Sequence, residues 1–448
     1  MLDVQEAEGR AAALIHAARK AGADAADVLY VGEASTGVQV RLGALEDVGR
    51  SEGEEIGLRF FVGRRSASVS SSDLSPDALA ALVDRAAAMA REAPEDPYSG
   101  LAPEGRLYRG EPVDIDGDDE ADPSPGELKA RALEMEEAAR SVPGITNSEG
   151  AGISAGRSVV ALATSHGFVR GYTSSGYSAG VSVIAGTGAG MQRDSASHQV
   201  RHYADLEGPA PLGSLAATRA LGRLDPGKLP SGTMPVLFDP RVGGSLVGHL
   251  LGAMSGAAIA RKTSFLLGRE EEAIFPDAIK VVDDPHRRRG LRSKPFDGEG
   301  VATRPSRLID GGRVTGWLLN SAAARQLGLE TSGHASRGTG GAPGVGATNV
   351  HIEPGAQSPE ALRADIARGL YVTELIGQGV NTVTGDYSRG ASGFVIENGE
   401  LTTAVAEITI AGNLIEMFRT LSAADDLDHR RAINVPTLRV EGLTVAGA

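Results

Sequence analysis

The order of predicted elements in the first half of the chain occurs twice, which limits the folds open to it. Residues 1–92 show a helical pattern, three strand-like runs and a second helix that begins at Ser75-Pro76. Residues 124–226 repeat this order from a helix that begins at Ser124-Pro125. The strand-like runs lie at 26–33, 37–50 and 55–70, then at 146–155, 157–165, 168–185 and 189–204. We expect an α+β fold with two helix–antiparallel meander–helix units, as an internal duplication or as two sheets that pack together.

Two further segments complete the expected organisation. Residues 93–123 are rich in proline, glycine and acidic side chains, which predicts a linker or an extended surface segment. Residues 230–448 are expected to form a mixed, β-rich C-terminal domain with an Ala/Gly-rich helix after Pro240. Its other helices are predicted at 359–368 and 410–422, and its strands at 233–238, 305–309, 313–319, 349–352 and 393–396.

Composition and charge exclude several classes of protein. The chain has no cysteine, so disulfides, iron–sulfur clusters and cysteine-containing zinc sites are excluded. Its 58 acidic and 44 basic residues give a net charge of −14, which argues against a nucleic-acid partner. No run approaches the roughly 18 apolar residues of a membrane-spanning helix, and the N-terminus lacks the pattern of a signal peptide. We therefore expect a cytoplasmic protein without a membrane partner.

Three motifs could carry chemistry, and each also has a structural explanation. His198 and His202 could hold a metal together with a carboxylate, although two solvated histidines are the favoured interpretation. The basic run at 286–294 favours a solvated or partner-facing loop, and its arginines would also suit a peptide carboxylate. The glycine-rich loop at 338–346 lacks the lysine of a Walker motif, which favours a cluster of turns, with a bound peptide as a possible neighbour.

Three longer runs make the C-terminal domain specific. The runs GVNTVTGDYSRGASGFVIENGELTTAVAEITIAGNL at 379–414, ARKTSFLLG at 260–268 and SKPFDGEGVATRP at 293–305 resemble the TldE (PmbA) branch of the TldD/PmbA family. The likeness extends over nearly the whole chain. It implies a proteolytic system that acts on small, unfolded peptides. Members are associated with the maturation of a peptide antibiotic and carry an older label of DNA-gyrase modulator.

The same resemblance predicts that this chain lacks the family's metal site. The catalytic TldD subunit carries an HExxxH helix whose two histidines bind zinc and whose glutamate activates water, with a cysteine as a further ligand. The resemblance aligns this motif with residues 244–249, where Gly244 and Ser245 replace the first histidine and the glutamate. Only His249 remains, as a vestigial position. We expect no catalytic residue, metal site or cofactor in this chain, and zinc in a TldD-type partner.

These expectations describe a non-catalytic subunit of a TldD/TldE zinc metallopeptidase, with peptidase activity only when a TldD-type catalytic subunit is present. The chain would help to form the cavity that holds an unfolded peptide. Candidate substrate-binding residues lie in two glycine-containing motifs: Gly340, Gly341, Gly344, Asp386, Tyr387, Ser388 and Arg389. The second motif, GDYSRG, also fits a tight turn in which Asp386 pairs with Arg389. An exposed sheet edge would let the isolated chain form a homodimer.

Two alternatives stay open at this point. The chain could be a self-sufficient metallopeptidase whose ligands are His198, His202 and a carboxylate. It could also be an interaction protein that acts on gyrase or another assembly without any part in proteolysis. Metal analysis and peptide cleavage, on the chain alone and mixed with a TldD-type subunit, separate these readings.

Overall fold

Two α+β units make up the N-terminal half of the protein, whose computed structural model describes residues 1–111 and 113–447. Helices flank a run of three strands in each unit. The elements of this half are α1 (Val4–Lys20), β1 (Ala25–Arg41), β2 (Ala44–Val62), β3 (Arg65–Ser71), α2 (Pro76–Glu92), α3 (Pro125–Arg140), β4 (Ile145–Thr164), β5 (Val169–Ala185), β6 (Gln192–Val200) and α4 (Pro209–Gly222).

The helices begin where their local sequence predicts. The Ser75 hydroxyl accepts the Ala78 N–H ahead of Pro76, which satisfies one of the free donors of the first turn of α2. Ser124 and Glu127 form a capping box at the start of α3, in which each side chain accepts a backbone N–H of the other residue. These helix starts were predictable because the capping interactions span only three residues. The combination of helices and antiparallel strands confirms the α+β class expected from the sequence.

The six strands form one antiparallel sheet rather than two packed sheets. Their order is β3-β2-β1-β4-β5-β6, so β1 of the first unit pairs with β4 of the second. This pairing runs from Asp27 opposite Thr164 to Val40 opposite Ala151. The expectation of two packed sheets was therefore wrong. Both central strands are long enough to pair along their length, and the predicted break after residue 155 is absent because Gly156 continues the ladder opposite Ser35.

The two faces of this sheet have different coverings. The four helices cover one face, where α1 and α2 pack on the first unit and α3 and α4 on the second. On the other face, Leu29, Leu162 and Phe168 pack against Phe296 and Val301 of the C-terminal domain. The sheet is therefore the platform on which the C-terminal domain rests.

The segment that follows α2 is an extended strap rather than a free linker. Leu101 and Leu107 are buried, and Leu107 belongs to the apolar cluster between the sheet and the C-terminal domain. The Arg325 guanidinium donates hydrogen bonds to the carbonyls of Tyr98, Gly100 and Leu101 at 2.8–3.0 Å. Of the two interpretations of 93–123, the extended surface segment is the one the structure shows.

The C-terminal domain contains a six-stranded sheet with the order β16-β15-β14-β7-β19-β17, which β16 partly closes by pairing with β19. A five-stranded sheet has the order β10-β9-β8-β13-β18. The elements of this domain are β7 (Gly232–Phe238), α5 (Pro240–Ala253), α6 (Gly256–Ala260), β8 (Val281–Asp283), β9 (Ser306–Asp310), β10 (Arg313–Val314), α7 (Ser321–Leu327), β11 (Ala335–Ser336), β12 (Gly344–Val345), β13 (Val350–Ile352), α8 (Pro359–Arg363), β14 (Arg368–Ile376), β15 (Asp386–Glu397), β16 (Glu400–Asn413), α9 (Leu414–Arg419), β17 (Ser422–Ala423), β18 (Ile433–Asn434) and β19 (Leu438–Ala446).

Two predicted helices of this domain differ from the structure for tertiary reasons. The helix predicted at 410–422 is a strand as far as Asn413 and a helix only over Leu414–Arg419, because 410–413 pair with β15. The Ala/Gly-rich helix is interrupted after Ala253. There the Gly256 N–H donates to the Leu318 carbonyl at 2.8 Å. Within the residues described, no helix is long and apolar enough to cross a membrane.

Candidate functional site

Helix α5 carries the residues that the resemblance aligns with a zinc motif. Asp239 caps this helix by accepting the Arg241 N–H at 2.9 Å, and Leu246 and Leu250 face the core. Gly244, Ser245 and His249 lie on the less buried side of the same helix. The Ser245 hydroxyl donates to the Val242 carbonyl at 2.7 Å, one turn earlier. Local geometry therefore already uses the hydroxyl that stands at the general-base position.

His249 meets two of the residues predicted from the GDYSRG motif. Its ring lies edge-on to that of Tyr387, with 6.2 Å between centroids, and Tyr387 is 2% exposed. Burial lowers the pKa of His249, and the nearby Arg389 guanidinium lowers it further. Burial raises the pKa of Tyr387 to about 12, although Arg389 acts in the opposite direction. The site thus has a neutral imidazole and a neutral phenol beside a cationic guanidinium.

The GDYSRG motif begins a strand and does not form the tight turn considered from the sequence. Tyr387 and Arg389 lie on one face of β15, while Asp386 and Ser388 lie on the other. Asp386 accepts hydrogen bonds from Thr384 Oγ1 at 2.7 Å and Asn413 Nδ2 at 3.2 Å. The proposed Asp386–Arg389 pair is therefore wrong, since side chains three positions apart on a strand point to opposite faces.

A cavity of about 420 Å³ lies beside the start of α5, against β14, β15 and β18. Gly244 and Ser245 line it, together with the guanidinium-bearing residues Arg241, Arg292, Arg389 and Arg431. Zinc sites use three or four protein ligands. Glycine supplies none, Ser245 is engaged within its own helix, and four arginines would repel a cation. The side chains present here do not fit a zinc ion.

The glycine-rich loop at 338–346 lies elsewhere, on the N-terminal sheet. Thr339 is buried, and its hydroxyl donates to the Glu55 carboxylate on β2. A Cβ on Gly57 would lie 2.0 Å from the Thr339 carbonyl oxygen, so glycine permits this close approach. Gly340 and Gly341 border open space, whereas the Gly344 carbonyl accepts a hydrogen bond from Asn320 Nδ2 at 3.3 Å. The structure shows no hydrogen bond between this loop and residues 386–389 among the described residues.

The two histidines considered as metal ligands each have a different hydrogen-bond partner. His198 Nδ1 accepts the Glu207 N–H at 3.0 Å, and burial lowers the pKa of this ring. His202 Nε2 lies 3.0 Å from the Asp116 carbonyl oxygen. Across residues 1–111 and 113–447, no group of three or more histidine, aspartate or glutamate side chains is placed to hold a metal ion.

Two arginines of the basic run at 286–294 form ion pairs within the chain. Arg288 pairs with Asp114 and lies 3.0 Å from Asp116 Oδ2. Arg289 lies 2.7 Å from the same carboxylate oxygen and 2.8 Å from Asp205 Oδ2. The pairs with Asp114 and Asp116 attach the run to the acidic strap, so the charge of Arg288 and Arg289 serves internal contacts. Arg292 has no such partner among the described residues and lines the arginine-rich cavity instead.

Three residues of that cavity were missed from the sequence. Arg241 and Arg431 lie far apart in the chain, and each by itself resembles an ordinary surface arginine. Arg292 belongs to the basic run, which was the only available signal. The packing of the β-strands and α5 brings these three arginines close to Arg389. Their spacing in the sequence does not predict that they share a cavity.

Family profiles described as PmbA/TldA metallopeptidase domain 1, central domain and C-terminal domain match residues 26–90, 118–224 and 231–447. The chain is 38% identical to the metalloprotease PmbA of Escherichia coli O157:H7 over 426 residues, which are 95% of this chain and 92% of that protein. The chain belongs to the TldD/PmbA family. The resemblance to its PmbA (TldE) branch, stated from the sequence motifs, is confirmed.

Solved structures share the fold of this TldD/PmbA family member over almost its full length. A candidate modulator of DNA gyrase from Bacteroides thetaiotaomicron is 26% identical, with a TM-score of 0.91 and 99% of both chains covered. TldE from Thermococcus kodakarensis is 22% identical, with a TM-score of 0.87 over 98% of this chain and 100% of that one. The arrangement of sheets and helices described above is therefore a shared family architecture.

Proposed function

We propose that this chain is the non-catalytic, PmbA (TldE)-type subunit of a zinc metallopeptidase complex that processes small, unfolded peptides. The observation that carries the proposal is the state of the family's metal position. Gly244 and Ser245 stand where the catalytic members have a histidine and a glutamate, and His249 faces Tyr387 and Arg389. Zinc and the water that it activates would then come from a TldD-type partner.

The N-terminal sheet supports a role in holding extended peptides. Strand β3 pairs with β2 only over residues 56–62, so the outer half of β2, from 44 to 55, has one open edge. Leu45 and Val48 on this segment are 45% and 46% exposed. An extended peptide binds such an edge through main-chain hydrogen bonds, which tolerate many sequences. The same edge would suit a second subunit, so the sheet offers one surface to two kinds of partner.

The proposal is tested by metal analysis and peptide cleavage on three samples. These are the purified chain, a TldD-type subunit from the same organism, and their mixture. We expect zinc to accompany the TldD-type subunit and cleavage of an unstructured peptide to require the mixture. Stoichiometric zinc in the isolated chain, or cleavage by it that a chelator abolishes, would support the self-sufficient metallopeptidase instead.

A pair of substitutions locates the chemistry within the mixture. Replacing the water-activating glutamate of the TldD-type subunit should abolish cleavage, because that residue acts on the reacting water. Arg307→Gln in this chain should leave the rate unchanged, because this exposed arginine pairs with Asp310 and does not line the cavity beside α5. Two subunits that do not associate during gel filtration would contradict the proposal and favour an interaction protein outside proteolysis.

A further inference from the structure

The cavity beside α5 is basic although the chain as a whole is acidic. Its lining residues include Arg241, Arg292, Arg389 and Arg431 and contain no aspartate or glutamate. The whole chain carries a net charge of −14. Guanidinium groups repel one another, so four of them gathered around one cavity without a lining carboxylate favour an anionic occupant.

The carboxylates near these arginines do not balance all of their positive charge. Arg241 lies 2.9 Å from Asp194 Oδ1 and 3.6 Å from Asp239 Oδ1, and Arg223 shares the Asp194 carboxylate at 3.6 Å. Arg431 donates to the Arg241 carbonyl at 3.3 Å, which leaves its charge uncompensated by that contact. Neither Arg292 nor Arg389 forms an ion pair with any residue that the structure describes.

Arg389 is the most constrained of the four. Its Nε is buried and has no hydrogen-bond partner among the described protein atoms, and its neighbours Tyr387 and His249 carry no negative charge. A guanidinium that lines the cavity without an ion-pair partner is available to an anionic acceptor there. Arg389 lies on β15 two positions after Tyr387, which is buried in the core. This rigid position preorganises the guanidinium at the cavity.

The remaining wall of the cavity is apolar. Val242, Leu375 and Ile433 contribute aliphatic side chains beside the arginines. The volume of about 420 Å³ lies within the range of small-ligand sites, roughly 300–1,000 Å³. A guanidinium binds a carboxylate with two parallel hydrogen bonds, and an aliphatic group next to the carboxylate would cover the apolar wall. The end of a peptide chain has both features on one Cα atom.

We infer that this cavity binds the C-terminal carboxylate of a peptide whose last residue is aliphatic. Arg389 and Arg292 hold the carboxylate, and Val242, Leu375 and Ile433 contact the side chain. The inference deepens the proposed peptide-processing function and takes its ligand class from it. The position that holds zinc in a catalytic subunit would here hold the end of a substrate or product.

The test compares one peptide as its free acid and as its C-terminal amide. N-acetyl-Ala-Ala-Leu in both forms is titrated into the full-length chain, without partner, by isothermal titration calorimetry. We expect the acid to bind about tenfold or more tightly than the amide, as charge-assisted hydrogen bonds require. Equal affinity of the two forms, or tighter binding of inorganic phosphate than of the acid, would overturn the inference.

Substitutions identify the arginines responsible. Arg389→Gln and Arg292→Gln should each weaken binding of the acid about tenfold and leave the amide unchanged. Arg292 is exposed, so its replacement does not threaten the fold if Arg389→Gln proves unstable. Arg307→Gln, which removes an exposed arginine paired with Asp310, is the matched control and should bind like the wild type. Wild-type affinity in both cavity variants would refute the assignment.

This measurement is independent of the test of the proposed function. Binding is measured on the chain alone, whereas the proposed function is tested by cleavage in the mixture. If the chain binds the acid selectively but the mixture does not cleave peptides, the carboxylate-binding cavity is supported and the peptidase complex is refuted. If the mixture cleaves peptides but the chain does not bind the acid selectively, the peptidase complex is supported and the carboxylate-binding cavity is refuted.

Discussion

Replacing Asp27 by asparagine should lower the free energy of unfolding by about 3–5 kcal/mol, the usual cost of removing one partner from a buried ion pair. Asp27 on β1 lies between Arg59 on β2 and Arg337, which follows β11 in the C-terminal domain. Arg59 Nε donates to Asp27 Oδ2 at 3.0 Å, and Arg337 Nη1 lies 2.5 Å from Asp27 Oδ1. This cluster joins the N-terminal sheet to the C-terminal domain.

The magnitude follows from burial and charge. The side chains of Asp27, Arg59 and Arg337 are 2%, 7% and 1% exposed, so water screens none of them. Asparagine keeps the shape of the side chain but removes the carboxylate that both buried guanidiniums contact, which leaves the more weakly acting Glu299 as their acidic neighbour. The loss is a large part of the roughly 5–15 kcal/mol by which folded proteins are stable.

The pKa of Asp27 gives the pH range in which the pair acts. Burial alone would raise this pKa, but Arg337 and Arg59 outweigh burial and lower it. Because the folded pKa lies below the unfolded value of about 3.9, the stabilisation is present above that pH. It is lost as the pH falls through the folded pKa. The difference between wild type and variant should therefore be full at neutral pH and shrink in strong acid.

Chemical denaturation followed by circular dichroism and by the fluorescence of Trp317, the single tryptophan, measures the effect. Asp47→Asn, at an exposed position of β2, is the control and should change stability by about 0.5 kcal/mol or less. Adding Arg337→Met to Asp27→Asn should recover part of the loss, because it removes one unpaired charge. Equal stability of the two asparagine variants would refute the reasoning.

Three further predictions concern the same contact between the halves of the protein. Gly57→Ala should destabilise the protein by about 1–3 kcal/mol, because the new Cβ would lie 2.0 Å from the Thr339 carbonyl oxygen. Gly53→Ala, which has open space around it, is the control and should leave the stability unchanged. Thermal unfolding compares the two variants. Phe296→Ala should cost about 3–5 kcal/mol in denaturant titrations, since the ring is 3% exposed and packs edge-on to Phe168 at 5.2 Å. Burial, with help from Glu299, raises the pKa of Asp297 to about 6, so this group stabilises the protein below about pH 4 and loses that contribution as pH rises to 6. Asp297→Asn should therefore flatten the dependence of unfolding free energy on pH between 4 and 6, and an unchanged slope would contradict the assignment.

Local interactions explain why much of the N-terminal half could be predicted. The Ser75 cap and the Ser124–Glu127 capping box satisfy first-turn N–H groups with side chains only three residues away. The alternation of buried and exposed residues along β5 likewise follows from the period of two of a strand. Such signals are carried by neighbours in the chain and need no knowledge of the fold.

Predictions failed where distant segments decide the local structure. Residues 410–413 carry a pattern that a helix could use, but their ladder with β15 makes them a strand. The helix after Pro240 ends early because the segment at Leu318 approaches Gly256 and accepts its N–H. The β15 partners of residues 410–413 lie 21–27 positions away in the chain, and Leu318 lies 62 positions from Gly256, so a short local window contains neither cause.

The amino-acid sequence alone determined that the chain has no cysteine and that Gly244 and Ser245 precede His249 by five and four positions. Only the tertiary structure decided which side chains surround Gly244 and Ser245. Arg241, Arg292, Arg389 and Arg431 come from four separate segments, and they share a cavity because α5 packs against β14 and β18. The sequence specifies each side chain separately, whereas a binding site forms only when the packing of the core brings distant residues together.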